Sequence, residues 1–426
     1  MKKKKFQSDY ERGRAIAELL RGSWRVTQTV SLRKGTAALD PQTKTQQSET
    51  EWQCDSTQIP SSRDLRYIVD RLCESGAAAL AWRQIRDTPL ADTPEGERLH
   101  NAYRQFRLSS LIHEREIEQV IAALRSAGID PVLIKGWSVA RLYPDKALRP
   151  YGDIDLCVTA DEFAKAERVL SVIQNRVDLH SGFDGIGTWH GRLARVAATD
   201  SSARKHGQDA HATFQNATQT VMLNETPVRV LCAEDHLRLL CLHLFRSGAL
   251  RPQWLVDVAL LIETRAADFD WNKCLGSDPV HASWVTCAIG LAQQLLGAAS
   301  EPQRAKGVEH GAMSSESEGF AAGVLPFALS PLPSAASFET PNWLAPAVLR
   351  QWGRPRDHYA QQIASHESFD NRSAFKRLYS RWDNPVRATA RLGGRFNSIP
   401  RLPYLLGETI IRVGELPSKL SGLSRS

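Results

Sequence analysis

The feature that most constrains this chain is a change in its apolar period at Gly128-Ile129-Asp130-Pro131. Before this turn, from Ser62 to Ala91 and from Glu95 to Ala127, apolar residues recur every three or four positions, as in Ile117, Val120, Ile121 and Leu124. That is the spacing of amphipathic helices. Leu108, Leu111 and Ile112 follow the same spacing. After the turn, Val132-Leu133-Ile134 reads as a strand, Ser138 to Leu142 as a short helix and Asp153 to Val158 as a second strand. Thr159 then caps a helix running to Gln174, with Glu162 completing a capping box, and Arg176 to His180 gives a third strand. Strand, helix, strand, helix and strand within about fifty residues demand an α+β core with a mixed sheet flanked by helices.

Around that core the chain divides by composition. Residues 1–61 are expected to be a mobile segment, because 27–62 are rich in Thr, Gln and Ser and lack apolar period. Residues 62–127 form a helical front section, 128–232 the core and 233–296 a helical domain, with helices over 234–245, 254–264 and 282–296. The Ala-, Gly-, Ser-, Glu- and Pro-rich stretch 297–345 has the composition of a linker, and 346–426 is a basic C-terminal region. This last region holds fourteen Lys and Arg against six Asp and Glu, which accounts for the whole net charge of +7. It is either a solvated helical surface or a contact for an anionic partner.

A hydrophobic content of 42% and a charged content of 24% exclude a disordered or fibrous chain. No run approaches the roughly 18 apolar residues of a membrane span. The lysines at 2–5 lead into Phe6-Gln7-Ser8-Asp9-Tyr10 and not into a signal-peptide core. Seven cysteines without a CxxC pair or metal-type spacing read as reduced thiols, and the expected location is the cytoplasm.

The chemistry is carried by carboxylates on strands. Asp153 and Asp155 are two apart, so an extended backbone puts both on one face and turns Ile154 to the other. Paired hard oxygen donors suit Mg²⁺ or Mn²⁺, which complete their coordination with water and substrate phosphates. On the third strand, Asp178 and His180 also share a face, and Asp178 stands either as a third metal ligand or as the base for an acceptor hydroxyl. Lys135 and Gly136 end the first strand where a triphosphate would lie. The glycine permits close approach, and the lysine either contacts phosphate or pairs with an aspartate. Arg149 offers a second cation for phosphate. His180 orients Asp178, contacts nucleotide or simply satisfies its strand. His236 and His243 read as packing residues, and Asp257 as a buried hydrogen-bonded carboxylate or else a contact to nucleotide.

The stretches Leu133-Ile134-Lys135-Gly136-Trp137-Ser138-Val139-Ala140-Arg141-Leu142-Tyr143-Pro144 and Leu148-Arg149-Pro150-Tyr151-Gly152-Asp153-Ile154-Asp155-Leu156-Cys157-Val158 closely resemble the uncharacterised bacterial nucleotidyltransferase family of the DNA polymerase beta-like superfamily. The resemblance spans roughly residues 100–265. It implies a nucleotidyltransferase-type mixed sheet with metal on the Asp-x-Asp pair. Relatives of this kind look like bacterial proteins encoded near surface-polysaccharide or modified-peptide biosynthesis genes. Two positions depart from the superfamily: Lys135-Gly136 stands where Gly-Gly or Gly-Ser is usual, and Asp178-Leu179-His180 is followed by Ser181 and not Trp.

The resulting expectation is an Mg²⁺- or Mn²⁺-dependent, nucleotide-binding enzyme that moves a nucleoside monophosphate, for example from ATP, to a hydroxyl or phosphate acceptor. Asp153, Asp155 and Asp178 are its catalytic and metal residues, and Lys135, Gly136, Arg149 and His180 its nucleotide contacts. The acceptor, whether small molecule, peptide, protein or RNA, has no linear signature. Two other readings stay open: a non-catalytic nucleotide-binding scaffold on the same fold, and a toxin-like transferase acting on tRNA or protein.

Overall fold

The computed structural model describes residues 8–25, 60–173, 177–182, 218–299, 338, 340–354 and 384–396. Its centre is a five-stranded mixed sheet in the order β3-β2-β1-β5-β4. The strands are β1 (Val132–Leu133), β2 (Ile154–Val158), β3 (Val177–Ser181), β4 (Thr218–Leu223) and β5 (Thr226–Leu231). β1 runs antiparallel to β2 and parallel to β5, while β2 and β3 are parallel. β4 and β5 form an antiparallel hairpin, turning at Asn224, whose positive φ of 51° is one that asparagine tolerates.

Helices cover both faces. α1 (Asp9–Leu20), α2 (Ser62–Glu74), α3 (Ala78–Ile85) and α4 (Pro94–Ser126) precede the sheet. α5 (Trp137–Ala140) and α6 (Phe163–Leu170) lie within it. α7 (Ala233–Arg246), α8 (Pro252–Thr264), α9 (Trp271–Leu275), α10 (Pro279–Leu296), α11 (Leu344–Gly353) and α12 (Pro385–Arg391) follow. Period-two alternation assigns the sheet to two cores. Leu133, Ile154, Leu156, Val158, Val228 and Val230 face the core they share with the second half of α4 and with α6. Val132, Ile134, Cys157 and Leu231 face the larger core of the helical bundle.

The 33-residue α4 bridges the two cores. It starts at Thr93, whose hydroxyl accepts from the Gly96 amide, with Pro94 in the first turn where a missing N–H costs nothing. Its apolar spacing does not read uniformly as core. Ile117, Val120, Ile121 and Leu124 are buried, whereas Leu108, Leu111 and Ile112 are more than half exposed. Those three fall where the helix crosses from one core to the other. The box at Thr159 is half made: Glu162 reaches back to the Thr159 amide and hydroxyl, at 3.2 and 2.6 Å.

Within the segment 1–61 expected to be mobile, Asp9–Leu20 is a helix with Ile16, Ala17, Leu19 and Leu20 buried. It packs on α11 at backbone contact. A Cβ on Gly13 would overlap the Leu349 carbonyl, and one on Gly353 the Asp9 carbonyl, so glycine alone allows the approach. Most of the segment 27–62 expected to lack structure, most of the 297–345 stretch and most of the basic 346–426 region lie outside the described residues. The described parts of the last, α11 and α12, bury Leu349, Trp352, Val386 and Ala390. The six described cysteines form no disulfide, and no described helix is long and apolar enough to cross a membrane.

Candidate active site

The register of β2 and β3 builds the site. Parallel pairing sets Asp155 beside Asp178 and Cys157 beside His180, so both acids and the histidine share the sheet face towards the helical bundle. One ligand atom from each of Asp155, Asp178 and His180 lies within 4.8 Å of the others, close enough to hold one metal ion. Asp155 is nearly buried and Asp178 is exposed. Adjacent carboxylates on neighbouring strands repel one another, and cations are gathered onto this pair. Lys135 Nζ lies 2.6 Å from Asp155 Oδ1. His180 Nε2 lies 3.4 Å from Asp178 Oδ2 and 3.7 Å from Asp155 Oδ1, which are ion-pair distances.

These contacts set the protonation states. Burial alone would raise the Asp155 pKa, but His180 and the Lys135 ammonium outweigh it and hold the carboxyl below the usual range. Burial would lower the His180 pKa, but Asp155 and Asp178 outweigh it and raise it.

Asp153 immediately precedes β2, which begins at Ile154. Asp153 is exposed at the strand entrance and is not one of the three clustered residues.

Lys135 and Gly136 follow β1, held beside β2 by the Ile134 amide, which donates to the Asp155 carbonyl at 3.0 Å. Gly136 adopts φ 63° and ψ −116°, a conformation that favours glycine. A Cβ there would sit 3.3 Å from the Asp153 carbonyl oxygen and 3.5 Å from Tyr151 Cδ2. The turn is pinned from behind by Trp137, whose Nε1 donates to the buried Glu114 at 3.0 Å.

Arg149 lies beneath this turn and does not open onto solvent. Its Nη2 bonds Asp257 Oδ2 at 3.0 Å, its Nε bonds both Asp257 oxygens, and its Nη1 reaches the Gly136 carbonyl at 3.4 Å. Asp257 is fully buried, and also accepts from Tyr143 Oη at 2.7 Å, which in turn accepts from Gln253. The expected phosphate contact of Arg149 thus meets a guanidinium already committed to a carboxylate. Asp257 is the residue whose part in the site a linear motif did not reveal; its signal was an acid in the apolar helix α8. His236 and His243 take packing roles. Burial depresses both to about 3, so both are neutral. His243 packs edge-on to Trp254, with centroids 4.7 Å apart.

The sequence profile of a family described as uncharacterised nucleotidyltransferase matches residues 61–278, just over half of the 426 residues. The chain belongs to that family. The match takes in α2, α3 and α4 as well as the sheet and ends just past α9. No curated protein and no solved structure matches the chain. The mixed sheet flanked by helices fits the family, and nucleotidyl transfer is the class of chemistry its site serves.

Proposed function

We propose that this nucleotidyltransferase moves a nucleoside monophosphate from a nucleoside triphosphate to a hydroxyl or phosphate oxygen of an acceptor, releasing pyrophosphate. Asp155, Asp178 and His180 would hold a divalent ion, with Asp153 at the rim of the site. The observation that carries this reading is the pair of carboxylates in register on β2 and β3 with Lys135 and His180 drawn onto them.

The donor set fits such an ion. Two carboxylates suit Mg²⁺ or Mn²⁺, and the imidazole favours Mn²⁺. The position between the acids already attracts positive charge, as the 2.6 Å contact of Lys135 attests. When bound, the ion supplies charge neutralisation on phosphate and activation of the acceptor oxygen.

The chain's own groups do the rest. Lys135 can exchange its aspartate contact for a phosphate oxygen, and Gly136 admits phosphate close to the backbone. Arg149, locked by Asp257, fixes the Gly136 carbonyl and so the shape of the turn. Asp178, the exposed acid, takes the proton from the acceptor. The acceptor oxygen bonds the α-phosphorus as the bond from that phosphorus to the bridging oxygen breaks, and the electron pair leaves with pyrophosphate.

The test is transfer of label from each α-³²P-labelled nucleoside triphosphate with Mg²⁺ or Mn²⁺ and a cell extract as acceptor source. Label should reach an acceptor with the wild type and not with Asp153→Asn/Asp155→Asn. Nucleotide binding without transfer would turn the reading towards a binding protein, and absence of nucleotide binding would refute it.

A further inference from the structure

A cavity of about 270 Å³ lies between α2, α4 and the Pro150-Tyr151-Gly152 loop, one side chain away from the phosphate turn. Tyr151 is the shared wall: it lines the cavity, and its ring edge packs against Gly136. Gly152 leads directly into Asp153. A triphosphate seated at Lys135 and Gly136 would lie next to this loop, because Tyr151 stands between the turn and the cavity.

The lining has the chemistry of a nucleoside site. Phe106, Ser109, Ser110 and His113 fall on one face of α4 at spacings of three, four and seven, and all border the cavity. His113 and Tyr151 form an aromatic corner, with centroids 5.4 Å apart and planes tilted by 42°, against which a flat base can stack. Tyr151 Oη and His113 Nδ1 are buried without a hydrogen-bond partner among the described residues, a state buried polar atoms rarely keep. Ser110 donates its own proton to the Arg107 carbonyl, so its oxygen is left to accept. Arg251, stacked on Trp254 at 5.4 Å, brings a cation to the rim.

We propose that this cavity receives the base and ribose of the nucleoside triphosphate, with the His113–Tyr151 corner stacking on the base. The inference rests on the phosphate placement proposed above. The volume suits a single group the size of a nucleoside.

Calorimetric titration of the full chain with Mg²⁺ and either α,β-methylene nucleoside triphosphates or inorganic tripolyphosphate separates the two parts of the ligand. The wild type should bind its preferred nucleotide at least tenfold more tightly than tripolyphosphate. Ser109→Trp, at an exposed helix position on the cavity, should erase that preference while tripolyphosphate affinity stays within twofold. Tyr151→Phe, which keeps the ring and removes the hydroxyl, should reduce the preference several-fold. Variants that keep the wild-type preference overturn the proposal. So does a Ser109→Trp enzyme that binds nucleotide normally but has lost label transfer, because the cavity would then belong to the acceptor. Free nucleosides, followed by saturation-transfer NMR, read the cavity without the phosphate. A signal lost in Ser109→Trp supports the proposal even if tripolyphosphate does not bind and the phosphate placement fails. No signal in the wild type, with tripolyphosphate bound, overturns the cavity and leaves the phosphate placement standing.

Discussion

Lys135–Asp155 and Arg149–Asp257 are both buried cation–carboxylate pairs close to the turn at Gly136, yet they are built for opposite purposes. Asp257 is wholly enclosed, and its carboxylate accepts from both Arg149 and Tyr143, with Gln253 donating to the Tyr143 hydroxyl behind it. Asp155 sits at the edge of burial, beside an exposed second acid and a histidine whose pKa the two acids raise. The first pair is closed and ties α8 to the loop before β2. The second is open, and its lysine holds a place that a metal ion or a phosphate can take. Burial of a charge pair does not by itself separate structure from function; what separates these two is whether solvent and substrate can reach the carboxylate.

The contrast predicts that removing each aspartate damages a different property. Asp155→Asn should reduce label transfer by a factor of about 10³ or more, equivalent to about 4 kcal/mol of transition-state stabilisation. Its urea midpoint should move little, because the flexible Lys135 stem can turn its ammonium towards Asp178. Asp257→Asn should do the reverse to the fold. It leaves the Arg149 guanidinium buried without a countercharge, at a cost of about 3 kcal/mol in urea unfolding. Equal stability losses in the two variants would erase the distinction.

The histidines offer a second contrast. His236 and His243 are depressed to about 3 in the folded chain, against about 6.5 when unfolded. Between those values the unfolded state binds more protons, so stability should fall as pH drops below about 6.5, by up to about 1.4 kcal/mol per pH unit for each histidine. His180 is shifted the other way. Its stabilising contribution is fully present below the unfolded value and is lost as pH rises through its folded one. His180→Gln should therefore destabilise more at pH 6 than at pH 9 in urea titrations, and an equal loss at both would contradict the ion pairing of His180 with the two acids.

Gly136→Ala sharpens the comparison at the turn between the pairs. The positive φ and the close Asp153 carbonyl should cost about 1–2 kcal/mol in stability, with nucleotide affinity falling alongside. A variant with normal stability and affinity would show that the turn does not need glycine.

Local features of this molecule were legible in its sequence. The turn at Gly128–Pro131, the strand holding Asp155, the strand holding Asp178 and His180, and the helices after Pro227 all follow from period and punctuation. What joins distant segments was not. Placing Asp178 against Asp155 requires the register of two parallel strands, and period-two spacing fixes the face of each strand but not its alignment with the other. Arg149 reads as a phosphate ligand until its partner, 108 residues away, is known. Helix α1 is rich in charge and contains glycine, and its closest packing is against α11, more than 300 residues on.

The proposed metal site at Asp155, Asp178 and His180, with Lys135 balancing its charge, is open to Mn²⁺ titration followed by electron paramagnetic resonance on the wild type, Asp155→Asn and Asp153→Asn. The wild type should bind an ion, Asp155→Asn should lose it, and Asp153→Asn, outside the three-residue cluster, should lose less. Undiminished Mn²⁺ binding by Asp155→Asn would rule the site out.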